Sequence, residues 1–210
     1  MRFIDESFQT MPWDEIDSVV FDIGNVLMYF SPHHVLDVLF GEDELLKAEL
    51  LHRVFESSHW LDLDRGTATY EQAVERMAQG RADLRPKIEL IFARWMELKT
   101  PIPEGVAALR RCREKGKRTY VLSNYHQPGF EWLLQKHDFF SLFDGYVVSC
   151  YLHLLKPEPE IYRELIERCS LDPARSLFLD DTRVNVEAAM EAGIQGFWVE
   201  KPEKMTEFFA

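Results

Sequence analysis

The fold is decided by residues 19–25, which read Val-Val-Phe-Asp-Ile-Gly-Asn. The run from Ser18 to Phe21 is β-branched and aromatic, which predicts a strand that is buried on both faces. This strand ends at Asp22, and the turn-forming pair Gly24-Asn25 follows. In open α/β sheets ligands bind at the carboxyl ends of the strands, so Asp22 is positioned for chemistry. Capping of the next turn is the alternative role for this aspartate.

Length, composition and charge limit the class of protein. The chain has 210 residues, of which 46% are hydrophobic and 13% aromatic, enough for one domain with an insertion or for two small domains. The formal net charge of −12 argues against binding to nucleic acid or to an anionic membrane. No apolar run approaches the ~20 residues of a membrane span, and the acidic start lacks a signal-peptide profile. We therefore expect a soluble, cytoplasmic protein, whose three distant cysteines are reduced thiols.

Two kinds of pattern follow the first strand. Residues 31–100 have helical periodicity throughout, beginning with Ser31 as N-cap and Pro32 at the first helical position. Beyond Pro101 short apolar runs alternate with helices of about ten residues, which predicts crossover units and a mainly parallel sheet covered on both faces. The predicted strands here are 118–122, 146–149, 176–179 and 196–199, and the predicted helices are 104–115, 129–136, 160–169 and 183–191.

Polar residues end or follow four of the strand-like segments. Besides Asp22 they are Ser123 and Asn124, Lys156, and the pair Asp180 and Asp181. Because the carboxyl ends of parallel strands share one edge of the sheet, these side chains are expected to converge on one crevice. The set suits phosphate chemistry: a carboxylate can attack phosphorus, and amide, hydroxyl and ammonium groups can hold phosphoryl oxygens. Facing carboxylates would call for a hard cation such as Mg²⁺.

Four motifs in order resemble those of the haloacid dehalogenase-like (HAD) hydrolase superfamily. They are Asp22-Ile23-Gly24-Asn25-Val26, Leu122-Ser123-Asn124, residues 156–162 beginning Lys156-Pro157, and Leu179-Asp180-Asp181-Thr182. The resemblance implies an α/β, Rossmann-like core with a mainly parallel sheet, formed by residues 1–30 and 101–210. It also implies a helical cap domain of the first type, residues 31–100, inserted between the first two motifs. Arg65-Gly66 and the residues after it resemble the cap of sugar-phosphatase members.

The resemblance also implies a role for each motif residue. Asp22 would be the nucleophile and a ligand of Mg²⁺, although Mn²⁺ accepts the same ligands. Asp181 would be the main carboxylate ligand of the metal. Asp180 beside it would bind the metal through a water or would support Asp181, and the Gly24 carbonyl would complete the protein ligands. Ser123 and Lys156 would bind phosphate, and Asn124 would belong to the phosphate pocket and orient them.

Gly24 departs from the pattern of most family phosphatases. They carry there a second aspartate, which protonates the leaving group and then activates water, and such an acid supplies ~10²–10⁴-fold in rate. Sugar 1-phosphates have a more acidic leaving group, and the Asp-x-Gly-Asn-Val form resembles phosphatases acting on glucose 1-phosphate. His33 or His34 could replace the acid, or could simply be exposed at a helix start.

The sequence therefore predicts a magnesium-dependent phosphatase that acts on a small phosphorylated metabolite, with a sugar phosphate as the expected partner. One alternative is a metal-free 2-haloacid dehalogenase, since these enzymes also lack the second aspartate. They need an arginine near the start of the cap, however, and residues 26–51 contain none. Another alternative is a catalytically weak domain that binds a phosphorylated ligand or a protein, against which the intact Asp22 argues. The sequence carries no signal for an oligomeric state.

Overall fold

The computed structural model describes residues 13–207, and its centre is a parallel sheet. Five strands form this sheet in the order β5-β4-β1-β6-β7, so that the strand leading to Asp22 is in the middle. A short antiparallel pair, β2 with β3, forms a second sheet. In chain order the strands are β1 (Ser18–Phe21), β2 (Met28–Tyr29), β3 (Thr100–Pro101), β4 (Arg118–Ser123), β5 (Gly145–Val148), β6 (Ser176–Asp180) and β7 (Gln195–Trp198).

Helices cover both faces of the sheet, as the alternation of strands and helices requires. Along β1, Val19 and Phe21 pack into one apolar cluster while Val20 packs into another, because successive side chains of a strand point to opposite faces. The helices that follow β3 are α6 (Pro103–Glu114), α7 (Gln127–Lys136), α8 (Ser149–Leu152), α9 (Pro159–Arg168) and α10 (Arg183–Glu191). A strand buried in this way places Asp22 at the end of a fixed element.

Residues between β2 and β3 form the helical insertion, which we define as residues 30–99. It contains α1 (Pro32–Phe40), α2 (Glu44–Leu50), α3 (Ser58–Asp64), α4 (Tyr70–Met77) and α5 (Arg85–Arg94), with a π-helical stretch at Leu51–Phe55. Its start matches the prediction, since the Ser31 side chain accepts from the amide of His34 and Pro32 opens α1. Its apolar side chains join the cluster that also contains Val19 and Phe21, so the insertion packs directly on the sheet.

The predicted fold class is confirmed, and the predicted strands and helices lie within about two residues of the observed ones. The π-helical stretch is not among the predictions. The division into a core of residues 1–30 and 101–210 and a cap of residues 31–100 stays a prediction; its second boundary falls inside β3, and residues 1–12 and 208–210 lie outside the described part. Within the described part, no helix is long and apolar enough to cross a membrane.

Candidate active site

The carboxyl ends of the parallel strands bring the predicted polar side chains to one edge of the sheet. Asp22 directly follows β1, Ser123 is the last residue of β4 with Asn124 behind it, and Asp180 is the last residue of β6. Lys156 comes from the loop that follows α8. All of these residues except Asp180 line a single cavity, and Asp180 contacts it through Lys156. Asp181, which follows Asp180, is likewise not among the residues that line the cavity. The structure therefore groups the side chains as expected, while their roles stay predictions.

Asp22 is held by one of its two carboxylate oxygens. Its Oδ1 accepts a hydrogen bond of 2.7 Å from the Ser123 hydroxyl and lies 2.8 Å from Nζ of Lys156. Its Oδ2 lies 3.8 Å from the position that a Cβ at Gly24 would occupy. In the described part of the chain Oδ2 accepts no hydrogen bond, so one oxygen of a fixed carboxylate is available to react.

Lys156 is buried between two carboxylates. Its ammonium group lies 2.7 Å from Oδ2 of Asp180 as well as 2.8 Å from Asp22, and it donates to the Leu122 carbonyl at 3.1 Å. Burial works against the charge, but the two carboxylates raise the pKa of Lys156 above its usual range. The Asn124 side chain bonds the main chain of Lys156 at both its carbonyl (3.0 Å) and its amide (2.8 Å), contacts that match an orienting role.

The two aspartates of the last motif differ in their surroundings. Asp180 is fully buried and accepts from the Thr182 amide at 2.7 Å and from the Asn185 side chain at 3.1 Å, besides its pair with Lys156. Asp181 is half-buried, and its Oδ2 accepts from the Asn25 side chain at 3.0 Å. The Thr182 hydroxyl donates to Oδ1 of Asp181 at 3.3 Å, so Asp181 has fewer contacts than Asp180 within the described residues, and its role as main metal ligand stays a prediction.

The donor set fits a divalent cation. Asp22, Asp180 and Asp181 each offer an oxygen, and these oxygens lie within 4.8 Å of one another. Lys156 balances one of the three negative charges, and burial together with the charge of Asp22 raises the pKa of Asp181. A hard cation with oxygen ligands would balance the other two charges. Mg²⁺ therefore fits these three carboxylates, and the Gly24 carbonyl as a further ligand stays a prediction.

The turn after Asp22 is fixed by Asn25, a motif residue for which the sequence indicated no separate role. Its backbone φ is +51°, a conformation that asparagine tolerates better than most residues. The Asn25 amide donates to the Met28 carbonyl at 2.8 Å, and its side-chain oxygen accepts from the amide of Phe30 at 3.0 Å. Through its bond to Asp181 the same side chain joins this turn to the carboxylate cluster.

A family model described as "Hydrolase: haloacid dehalogenase-like hydrolase" matches residues 16–193. The chain belongs to this family. The recognition made from the four motifs is thereby confirmed, and the match spans both the sheet and the helical insertion. The finer assignment to the glucose-1-phosphatase-like subgroup is not decided by this match.

Among known proteins, a sesquiterpene phosphatase, astK, from Aspergillus oryzae is 24% identical over 179 residues, covering 85% of this chain and 87% of that protein. A HAD family enzyme from Bacteroides thetaiotaomicron, in complex with magnesium and inorganic phosphate, superposes with a TM-score of 0.66 at 21% identity over 87% and 93% of the two chains. An L-2-haloacid dehalogenase from Xanthobacter autotrophicus superposes with a TM-score of 0.63 at 20% identity over 86% and 76%. These likenesses establish the HAD fold and include two different chemistries.

The helical insertion forms one wall of the cavity that Asp22 also lines. This cavity has a volume of about 180 Å³, and the side chains on that wall are Phe30, Trp60, Asp64, Trp95 and Lys99. Sequence reasoning assigned none of them to the site. Their spacing along the helices is what packing alone produces, so only the fold shows that they face Asp22.

Lys99 is the cation of that wall, and three aromatic rings surround its ammonium group. Nζ lies 4.4 Å from the ring centre of Phe30 and 4.6 Å from those of Trp95 and Tyr125. It donates to the Tyr125 hydroxyl at 2.7 Å. Within the described residues this is its one hydrogen-bond acceptor, and it forms no ion pair there with a carboxylate.

Two buried titratable groups on this wall have strongly shifted pKa values. Burial lowers the pKa of Lys99 to about 7, against the opposing charges of Asp64 and Asp22. Burial likewise raises the pKa of Asp64 to about 7, against the opposing charge of Lys99. Groups that exchange protons near neutral pH are what acid–base catalysis requires.

The two histidines proposed to replace the missing acid lie away from the cavity. His33 and His34 are exposed on α1, and the His34 ring lies against Tyr29. His126 does line the cavity, but its Nδ1 accepts from the Gly129 amide at 3.1 Å and caps α7, and burial lowers its pKa to about 3. Of the two alternatives for His33 and His34, the structure favours exposed residues at a helix start, because both side chains are exposed and neither lines the cavity.

We expect Lys99→Met to increase the free energy of unfolding at pH 7. The pKa of Lys99 lies below its usual 10.5 in the folded state. Burial of the charged group therefore lowers the free energy of unfolding by its full amount below about pH 7, and this destabilisation disappears above pH 10.5. The gain in stability should therefore shrink as pH rises through that window. Urea unfolding at several pH values measures it, with the exposed Lys115→Met as the matched control. A loss of stability in Lys99→Met would contradict the expectation.

Proposed function

We propose that this HAD family member is a magnesium-dependent phosphatase that hydrolyses a small phosphorylated metabolite through an aspartyl phosphate on Asp22. The observation that carries the proposal is the cluster of Asp22, Asp180 and Asp181, whose oxygens lie within 4.8 Å of one another. A metal-free mechanism has no use for three neighbouring carboxylates, whereas a cation bound there would both join them and attract phosphate.

The residues at the strand ends can carry out both halves of the reaction. The free Oδ2 of Asp22 attacks phosphorus, the P–O bond to the alcohol breaks, and the alcohol oxygen takes a proton. Ser123 and Lys156, which already meet at Oδ1 of Asp22, hold the phosphoryl oxygens beside it. Water then attacks phosphorus and releases phosphate from Asp22. Mg²⁺, when bound, supplies charge that stabilises the phosphoryl group in both steps.

A sugar phosphate, and a sugar 1-phosphate in particular, is the substrate that we propose. The Asp-x-Gly-Asn-Val form of the first motif resembles the glucose-1-phosphatase-like subgroup, which makes sugar 1-phosphates the class to test first. The aromatic rings of Phe30 and Trp60 offer apolar surfaces in the cavity against which a sugar ring can pack. The same rings could accept a terpenyl chain, and the similarity to a sesquiterpene phosphatase makes such esters the second substrate class to test.

Dehalogenation is the second candidate reaction, favoured by the similarity to an L-2-haloacid dehalogenase and by Lys99. A buried ammonium group in the cavity could hold the carboxylate of a 2-haloacid. Within the described part of the chain, however, no arginine lines the cavity. The carboxylate cluster also weighs against this reaction, because its negative charge would repel an anionic substrate in the absence of a metal.

The test is phosphate release from glucose 1-phosphate, glucose 6-phosphate, a terpenyl monophosphate and p-nitrophenyl phosphate, with Mg²⁺, with Mn²⁺ and with a chelator. We expect metal-dependent release that is fastest with glucose 1-phosphate, and preference for the terpenyl ester would assign the other substrate class. Halide release from 2-chloropropionate that persists in chelator, with no phosphate release from any ester, would replace the phosphatase by a dehalogenase. If the protein released neither phosphate nor halide, the remaining alternative would be a domain that binds a phosphorylated ligand or a protein.

A further inference from the structure

The position of the leaving group follows from the position of the nucleophile. In phosphoryl transfer the attacking and leaving oxygens are roughly in line with phosphorus between them. Asp22 attacks from the edge of the sheet, and the side chains of the helical insertion line the same cavity, so we place the leaving oxygen on their side. A group that protonates this oxygen therefore has to come from the wall that the insertion forms, where Lys99 and Asp64 are the titratable side chains.

Lys99 is held at a fixed place on that wall. It directly precedes β3, and Phe30 directly follows β2, so both residues lie at the paired strands that join the insertion to the sheet. Three rings enclose its ammonium group, and the Tyr125 hydroxyl accepts one of its three N–H bonds. Lys99 is also one of the residues that line the cavity.

We propose that Lys99 is the acid–base catalyst that Gly24 lacks, an assignment that rests on the phosphatase function proposed above. As the P–O bond breaks, the Lys99 ammonium group gives a proton to the departing alcohol oxygen and becomes a neutral amine. In the second half, the amine takes a proton from the water that attacks the aspartyl phosphate and returns to the ammonium form. The two transfers balance, and no further reactant is needed.

Charge favours Lys99 over Asp64 for this role. The departing oxygen gains negative charge, which a neighbouring ammonium group stabilises and a carboxylate repels. Asp64 and Asp22 both favour the charged form of Lys99, while burial opposes it, and the resulting pKa of about 7 suits transfer in both directions. Asp64 is therefore a positioning residue, which acts by keeping Lys99 charged until the substrate binds.

The test uses two esters of similar size that differ in their leaving group, p-nitrophenyl phosphate and benzyl phosphate. The quantity measured is kcat/KM, which includes only the steps up to departure of the alcohol. We expect Lys99→Met to lose ~10²–10⁴-fold with benzyl phosphate and less than tenfold with p-nitrophenyl phosphate, because a good leaving group needs no proton. The variant should also show a burst of p-nitrophenol, since the base for the second half is missing. Lys115→Met should change neither ester.

The outcomes separate this proposal from the phosphatase function itself. Equal losses with both esters, or no loss with benzyl phosphate, would overturn the role of Lys99 while the enzyme remains a phosphatase. A leaving-group-dependent loss in Asp64→Asn but not in Lys99→Met would assign the proton to Asp64 instead. No phosphate release by the native protein would overturn both proposals. Thermal unfolding of each variant checks that it is folded, so that a loss of activity in a folded variant is assigned to the missing side chain.

Discussion

Asp22→Asn should reduce phosphatase turnover at least ~10³-fold, because an amide cannot form the acyl phosphate on which the reaction depends. The substitution is nearly isosteric and removes one of three crowded carboxylate charges. The Ser123 hydroxyl can still donate to the remaining side-chain oxygen. The variant should therefore fold, with a midpoint of thermal unfolding that is not below that of the native chain. Phosphate release and thermal unfolding, measured together, test this expectation.

Asp138→Asn is the matched control, since Asp138 is exposed and lies outside the site. It should retain full activity. Turnover by Asp22→Asn within tenfold of the native value would remove Asp22 from the mechanism. Loss of activity together with loss of folding would instead give Asp22 a structural role.

Lys156→Met should lower the free energy of unfolding by about 3–5 kcal/mol, the cost of leaving buried carboxylates without their partner. The Lys156 side chain is almost fully buried, with Asp22 at 2.8 Å and Asp180 at 2.7 Å. Both carboxylates would face each other in a low-dielectric environment once the ammonium group is gone. Mg²⁺ should restore part of the lost stability, because it supplies positive charge at the same oxygens. Urea unfolding with and without Mg²⁺ measures both effects.

Lys99→Met provides the contrast within the same cavity. Two buried lysines are changed to the same residue, yet the neighbours of Lys156 raise its pKa whereas burial lowers that of Lys99. We therefore expect stability to fall in one variant and to rise in the other, while both lose activity. Equal changes in stability would mean that the two ammonium groups do not differ in this way.

Much of the fold follows from local pattern. The β-branched run before Asp22 forms β1 as predicted, and the Ser31-Pro32 pair begins α1, because these signals involve residues close in sequence. Thr69 and Gln72 form a complete capping box at the start of α4 for the same reason. The strand-end residues converge because parallel strands align their carboxyl ends, a rule that needs only the order of the elements.

The wall that the helical insertion forms could not be predicted in this way. Lys99 belongs to the site because β2 pairs with β3, and each of these strands is only two residues long. The pairing brings Phe30 beside Lys99, although the two residues are 69 positions apart in the sequence. A lysine next to Thr100-Pro101 reads as an exposed loop residue, since a charge is seldom buried. Asp64 similarly resembles an ordinary acidic residue at a helix end. His33 and His34, which are near Asp22 in sequence, proved remote in space.

The central claim is that Asp22 itself becomes phosphorylated. The most direct measurement mixes the protein rapidly with p-nitrophenyl phosphate and Mg²⁺, quenches the reaction in acid within one turnover, and determines the mass of the peptide that contains Asp22. We predict a phosphoryl group on this peptide, formed together with the first equivalent of p-nitrophenol and absent in Asp22→Asn. Release of p-nitrophenol and phosphate at the native rate, with that peptide unmodified at every time point, would contradict the mechanism.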